Sequence, residues 1–257
     1  MPLKREPHPS GTTEITFNDR WHIYKSTAHP KKKFTSGTKF LGRFFGKFDA
    51  DKISKAYGKK HDMDPAAVRA MWSRKGEIGR ETGTIVHKYL EDRLLGIKTT
   101  HLQAIMSHPD PEIQDAVRLK LIQADSMLEE FNEKYKFIRA EMIVASLKHD
   151  VAGTIDVLCR NKDTGNICFA DFKTNKKIDY SNSWQSGLSV LKHMDDCSYN
   201  KYRIQLGLYQ YIAVEEGYIT PEESVDIERV IIHIRDDGYS FIQCRGVTAE
   251  ISQMLAA

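Results

Sequence analysis

The stretch "VAGTIDVLCRNKDTGNICFADFKTNKK", residues 151 to 177, sets three charged side chains inside apolar segments: Asp156, Asp171 and Lys173. An unpaired charge in a sheet core is costly, so such a placement calls for a reason. The two apolar segments flank a polar turn, "NKDTGN", and folding them back about Asp163-Thr164 sets Asp156 directly opposite Asp171. Directly opposed side chains share a sheet face, with Cβ atoms about 4.5–5.5 Å apart. Lys173 lies two residues beyond Asp171 and projects from that same face, while Phe172 and Ile155 are expected on the other face, in the core. Two carboxylates at that range repel and raise one pKa unless something neutralises them. A hard divalent cation does this well, because Mg²⁺ takes one or two carboxylates and fills its other positions with water and substrate phosphate. Lys173 beside it could hold or help deprotonate a water, or steady charge developing on phosphorus. A buried Asp–Lys salt bridge with a spare acid fits the same spacing, and spacing alone leaves both readings open.

The elements that must position these residues are legible in outline. Residues 1–35 are rich in Pro, His and Lys, with one short apolar stretch, "EITFNDRWHIY", and read as a partly ordered N-terminal arm. From Ser36 the pattern turns helical through "SGTKFLGRFFGKF" and "DADKISKAYGKKH". Asp64-Pro65 is a helix start, with Asp as N-cap and Pro in the first turn, and this helix ends at Gly96. Ile85, Tyr89, Leu94 and Leu95 give it one buried face. Asp110-Pro111 repeats the capping chemistry for a helix to about Tyr135, with Ala116, Leu119, Ile122 and Met127 among its apolar positions. Then the period changes to 2, predicting strands at 137–147, in "VAGTIDVLC" and in "ICFADFKT". After a polar stretch at 179–200 come the helix "KYRIQLGLYQYIAVEEG", stopped by Gly217, and two strands turning at Asp237-Gly238. A terminal helix capped by Thr248 closes the chain. This order predicts one α/β domain over 36–257, with a helical N-terminal part (36–136) and an α/β core (137–257).

Composition narrows the function classes. A net charge of +3 permits a nucleic-acid partner without arguing for one, although lysines cluster at 31–33, 59–60 and 176–177. No apolar run reaches the roughly 18 residues of a membrane span, and no hydrophobic signal core follows the charged start. A soluble, cytoplasmic protein is expected. Cys159, Cys168, Cys197 and Cys244 form no CxxC pair and read as small core residues, supporting neither a zinc site nor a disulfide framework.

The set "GTID…ADFKT" resembles the PD-(D/E)XK nuclease superfamily in its RecB-like exonuclease branch. The first acid of that pattern matches Asp156, preceded by Gly153, and its D-x-K half matches Asp171, Phe172 and Lys173. Upstream, "GTIVHKYLE" (83–91) is similar to the G-T-x-x-H helix of the branch, which would make His87 a further metal ligand, where a lone helix histidine otherwise reads as core, and leaves Glu91 in a supporting or surface role. Downstream, "QLGLY" resembles the Q-x-x-x-Y motif; its i,i+4 spacing puts Gln205 and Tyr209 on one side of a helix. Glu141 resembles an acid of the same branch that would complete the metal site or hydrogen-bond within it; an ordinary edge-strand glutamate is the other reading.

The resemblance covers roughly residues 70–245 and implies a restriction-endonuclease-like core, a mixed sheet flanked by helices. It further implies a Mg²⁺- or Mn²⁺-dependent DNA exonuclease, a hydrolase acting on phosphodiester bonds to leave 5′-phosphates. His87, Asp156, Asp171 and Glu141 would bind the metal, Lys173 would orient the water, and Gln205 and Tyr209 would place the strand. Lys176 and Lys177 could contact backbone phosphates, which would make binding sensitive to salt. Phe44, Phe45 and Trp72 read as core residues or as stacking platforms for bases. No iron–sulfur cluster is expected, since the cysteine arrangement of cluster-bearing members is absent. The chain also looks like nucleases encoded by tailed phages, for which the host cytoplasm and a recombination or replication partner are the implied setting. Two other readings are a structure-specific or nicking endonuclease and a non-catalytic DNA-binding recombination partner.

Overall fold

The chain is described by a computed structural model over residues 3–257. It is a mixed α/β protein built on one nine-stranded sheet with helices on both faces. The expected N-terminal arm carries four strands: β1 (Lys4–Pro7), β2 (Glu14–Asn18), β3 (Ile23–Ser26) and β4 (Lys33–Ser36). Residues 1 and 2 of that arm lie outside the described residues. The arm's alternating side chains hid these strands because each is only four or five residues long. Ile15, Phe17, Tyr24 and Phe34 anchor the meander on Ile143, Ala145 and Ala152 of the central strands.

Helix α1 (Gly37–Leu41) is shorter than its apolar pattern predicts, and α2 (Ala50–His61) follows. Helix α3 (Pro65–Leu94) starts where the sequence places it: Asp64 accepts a hydrogen bond from the Ala67 N–H with Pro65 in the first turn. Helix α4 (His101–Ile105) leads to α5 (Pro111–Lys134), capped by Asp110 through the Glu112 N–H. The buried face of α5 is Ile113, Val117, Leu121, Ala124, Met127, Leu128 and Phe131, whereas Leu119 and Ile122 are exposed. On α3 the deepest residues are Val68, Val86, Tyr89 and Leu90; Tyr89 is buried as expected, Ile85 and Leu94 are half-buried, and Leu95 lies in solvent.

The core strands are β5 (Tyr135–Ser146), β6 (Val151–Asn161), β7 (Ile167–Lys173), β8 (Glu228–Ile234) and β9 (Tyr239–Gln243). Helix α6 (Ser198–Glu215) precedes β8, and α7 (Thr248–Ala256) ends the chain. Thr248 is the first residue of α7, not its cap; Val247 holds the cap position and makes no side-chain bond there. Helices α3, α4 and α5 cover one face through Val157, Cys159, Cys168, Ala170, Phe172 and Val230. Helices α1, α6 and α7 cover the other through Ile155, Leu158, Phe169 and Ile231. All four cysteines are free and buried, as expected of small core residues. No helix among the described residues is long and apolar enough to cross a membrane.

One feature of the pairing positions the site. β5 occupies one edge of β6 along nearly its whole length, from Ser146 opposite Val151 to Tyr135 opposite Asn161. The other edge is shared. β4 pairs in parallel with Val151 and Ala152, and β7 pairs antiparallel from Val157 to Arg160. Residues 153–156 thus have no strand on that edge, and a gap is left between two ladders.

Candidate active site

The hairpin register matches the one the turn implies: Val157 faces Ala170, so the next pair inward is Asp156 and Asp171. The ladder ends there because the acid replaces it. The Asp156 carboxylate accepts the Phe172 N–H at 2.9 Å, satisfying a backbone donor that β6 would otherwise take. Ile155 departs from expectation. It packs with Met142 and Phe169 under α6, while Phe172 lies on the α3 side, so the two do not share a face. Strict alternation breaks between Ile155 and Val157, which face opposite sides, and the Asp156 carboxylate between them reaches the β7 backbone.

Asp171 and Lys173 alternate along β7 on one face, and their carboxylate and ammonium are in contact. The ammonium lies against Asp171 Oδ2, a buried oxygen that takes no other donor. The Lys173 ammonium sits 4.8 Å from the centre of the Tyr202 ring, within cation–π range. His87 comes in from α3. Its Nδ1 lies 3.4 Å from Asp156 Oδ2, and its ring meets Phe172 edge-on.

Burial and charge set the protonation states. Burial first, and then the Asp171 charge, push Asp156 up to about 7. For Lys173, burial favours the neutral amine, but the carboxylates of Asp171 and Asp156 outweigh it and raise the pKa above the ordinary lysine value. Burial, helped by the Lys173 charge, lowers the pKa of His87, so its imidazole is neutral at pH 7 and has a lone pair to offer.

Glu141 stands in β5 with φ +51°, a left-handed conformation uncommon for a non-glycine residue. It bonds the Lys4 ammonium at 3.1 Å, and Lys4 also lies 3.9 Å from Glu91 of α3. Burial and the Asp156 charge raise the pKa of Glu141, so it shares the electrostatic field of the site even though its partner is Lys4. Glu91, expected in a supporting or surface role, is half-buried and paired.

Tyr209 does not fit as a nucleic-acid contact. Its ring is buried in a cradle of two glycines, where an added Cβ at Gly153 would lie 2.1 Å from Tyr209 Cε1, and one at Gly37 2.5 Å from it. A ring so enclosed cannot stack on a strand; it holds α6 against β6 beside the site. Gln205 Nε2 reaches its hydroxyl at 3.5 Å. The cradle also explains why Gly153 precedes Asp156 at that spacing. Phe44 and Phe45 are core residues, whereas Trp72 is half-buried. Lys176 and Lys177 are exposed just past β7, and Lys177 pairs with Asp179 at 2.5 Å.

Sequence reasoning missed Lys4, Tyr24 and Tyr202. Tyr24 of β3 bonds Thr154 Oγ1 at 2.9 Å and so walls the unpaired stretch of β6. Tyr202 lies one turn before Gln205, and extending that helix face backward would have found it. For Lys4 and Tyr24 no local signal exists. A separate cleft of about 520 Å³ lined by Arg93, Thr99, His101 and Asp125 holds none of the candidate residues.

Among the described residues, no three His, Cys, Asp or Glu side chains are gathered as a ready-made metal site. The acid pair still suits a hard cation. Asp171 and Asp156 are two buried carboxylates sharing a neighbouring ammonium, Lys173, and Mg²⁺ needs only one or two protein carboxylates.

No family model matches the chain, and comparison with curated proteins gives no match either. Among solved structures, one described as "Crystal structure of SSO0001" is similar over 69% of this chain and 84% of its own, at 16% identity. Its TM-score of 0.28 is too low to carry an argument about fold or function.

Proposed function

We propose that the protein is a metal-dependent deoxyribonuclease, an exonuclease that hydrolyses phosphodiester bonds to leave 5′-phosphates, with the restriction-endonuclease-like core of the PD-(D/E)XK superfamily. One observation carries the reading: two buried carboxylates, Asp156 and Asp171, drawn from the two strands, meet the ammonium of Lys173 and the imidazole of His87 at the unpaired edge of β6. A bare Asp–Lys salt bridge leaves the second buried acid unexplained.

Asp156 and Asp171 would hold Mg²⁺ or Mn²⁺, with neutral His87 as a third donor. When bound, the cation supplies a polarised phosphodiester and a more acidic water. Lys173, kept charged by the two acids, orients the attacking water and balances negative charge growing on the phosphate oxygens. Tyr202 fixes the lysine side chain from above, and Tyr209 with Gln205 holds the helix that presents it. Lys4, tied to Glu141, lowers the pKa of Asp156, and the Asp156 charge in turn raises that of Glu141.

The test is incubation of end-labelled single- and double-stranded DNA with Mg²⁺ or Mn²⁺, reading the product ladder and end chemistry. A ladder of 5′-phosphorylated products is expected, together with an untouched covalently closed circle; cleavage of the circle would assign an endonuclease. Asp171→Asn and Lys173→Ala should bind DNA and release no nucleotides. Hydrolysis at the wild-type rate in either variant would refute the assignment.

A further inference from the structure

Helices α2 and α3 form a hairpin whose charge differs from that of the rest of the chain. Residues 43–80 carry 10 Lys and Arg against 5 Asp and Glu, while the whole chain has a net charge of +3, so the remainder is net acidic. The local acids are largely engaged. Asp49 and Asp64 cap helices, Asp51 pairs with Arg69, and Glu77 pairs with Arg74. Lys47, Lys52, Lys55, Lys59, Lys60 and Lys75 are exposed, and among the described residues none has a carboxylate oxygen within 4.0 Å.

Between these lysines lies a group of rings. Trp72 meets Phe48 at 5.6 Å and Tyr57 at 5.7 Å, and Tyr57 stacks on His61 at 4.2 Å. Phe48 is 66% exposed, so its face is offered to solvent rather than to a core. Lysines carry no preference for bases, and a hydrophobic partner would not select six unpaired cations. Rings and cations together match a nucleic-acid strand with unpaired bases.

This surface is continuous with the candidate active site. Trp72, Gly76, Gly79, Gly83 and His87 fall along one face of α3, within about 80° of one another at 100° per residue. A Cβ at Gly76 or Gly79 would meet nothing within 4 Å, and one at Gly83 would lie 3.2 Å from Thr174 Oγ1, beside Lys173. Glycine inside a helix costs about 1 kcal/mol relative to alanine, and no packing requires it at the first two positions. Bare backbone there permits close approach of something else.

We propose that this face of α3 is a track for single-stranded DNA, running from the rings at Phe48, Tyr57 and Trp72, past the lysines of α2, over Gly76 and Gly79 to the carboxylates. The strand assignment rests on the nuclease reading above; the cationic ring surface stands apart from it. Fifteen residues of helix span about 22 Å, which corresponds to about six stacked nucleotides.

The test uses the full chain in EDTA with fluorescein-labelled oligo-dT of 4 to about 12 nucleotides, and a blunt duplex for comparison, followed by anisotropy across a salt series. Wild-type affinity should rise with length to a plateau near six or seven nucleotides and exceed that for the duplex. Phe48→Ala/Trp72→Ala should weaken binding about tenfold or more. Lys59→Gln/Lys60→Gln should flatten the log–log salt slope by about 1.4. Gly79→Gln, with its melting temperature retained, should bind more weakly than Gly79→Ala. Unchanged affinity in the ring and lysine variants, or duplex preferred over single strand, would overturn the track. The two readings fail separately. Loss of binding in the variants of a protein that hydrolyses nothing with Mg²⁺ or Mn²⁺ keeps the track and removes the nuclease; hydrolysis with indifferent variants does the reverse.

Discussion

Replacing Gly153 with alanine tests the cradle that fixes α6 over the candidate site. The new methyl carbon would lie 2.1 Å from Tyr209 Cε1 and 2.4 Å from Cζ. An ordinary carbon contact is about 3.5–4.0 Å, so the ring or the strand must move by more than 1 Å. The ring has no room to retreat, because Gly37 crowds the same edge and Tyr209 is only 4% exposed. Overpacking of this kind costs about 1–3 kcal/mol. For a chain of this size that lowers the melting temperature by roughly 2–12 °C. Tyr209→Ala alone leaves a cavity and costs about 3–5 kcal/mol. The diagnostic quantity is the double-mutant cycle. With the ring gone, Gly153→Ala should be nearly free, giving a coupling of about 1–3 kcal/mol by urea denaturation. Tyr209→Phe should not relieve the clash, since the contact is to ring carbon. Additive effects in the cycle would mean that the ring does not rest on Gly153, and the geometric account of the glycine would be wrong.

Other outcomes can be checked with purified protein. Asp156 titrates near 7 against an ordinary 3.8, so the folded state binds the extra proton and its stability falls as pH rises between those values. In metal-free buffer Asp156→Asn should therefore be more stable than wild type at pH 8, with the gap closing near pH 4; a gap independent of pH would refute the burial argument. Millimolar Mg²⁺ or Mn²⁺ should raise the wild-type melting temperature at pH 8 and leave Asp171→Asn unmoved, as binding to the folded state alone requires. Gly76→Ala and Gly79→Ala should each stabilise the protein by about 0.5–1 kcal/mol, read in thermal melts, because both sites are open and helical. Lys4→Gln should destabilise more at pH 8 than at pH 5, since Glu141 then loses its cation while ionised.

How far the site could be read in advance varied with the kind of contact. The Asp156–Asp171 register was readable because a six-residue turn and a period of 2 leave little freedom in how two strands meet. The starts of α3 and α5 were readable for a similar reason: Asp-Pro satisfies the first-turn donors within three residues of chain. The face of α5 was misjudged at Leu119 and Ile122, where apolar type pointed inward and packing left both in solvent. Helix propensity and apolar character say what a residue tolerates, not which neighbour it will find.

What the sequence determined by itself is the chemistry-bearing set: two acids and a lysine on adjoining strands, a histidine on a capped helix, and a paired Gln and Tyr one helical turn apart. Tertiary structure alone decided how they are enclosed. It left β6 unpaired at 153–156, brought Lys4 to Glu141 across 137 residues and Tyr24 to Thr154 across 130, and buried Tyr209 against Gly37 and Gly153. Turns, caps and periodicity act between near neighbours and so leave a spacing in the chain. Contacts closed by the packing of distant strands leave none, because the residues between them set the path and not the partners.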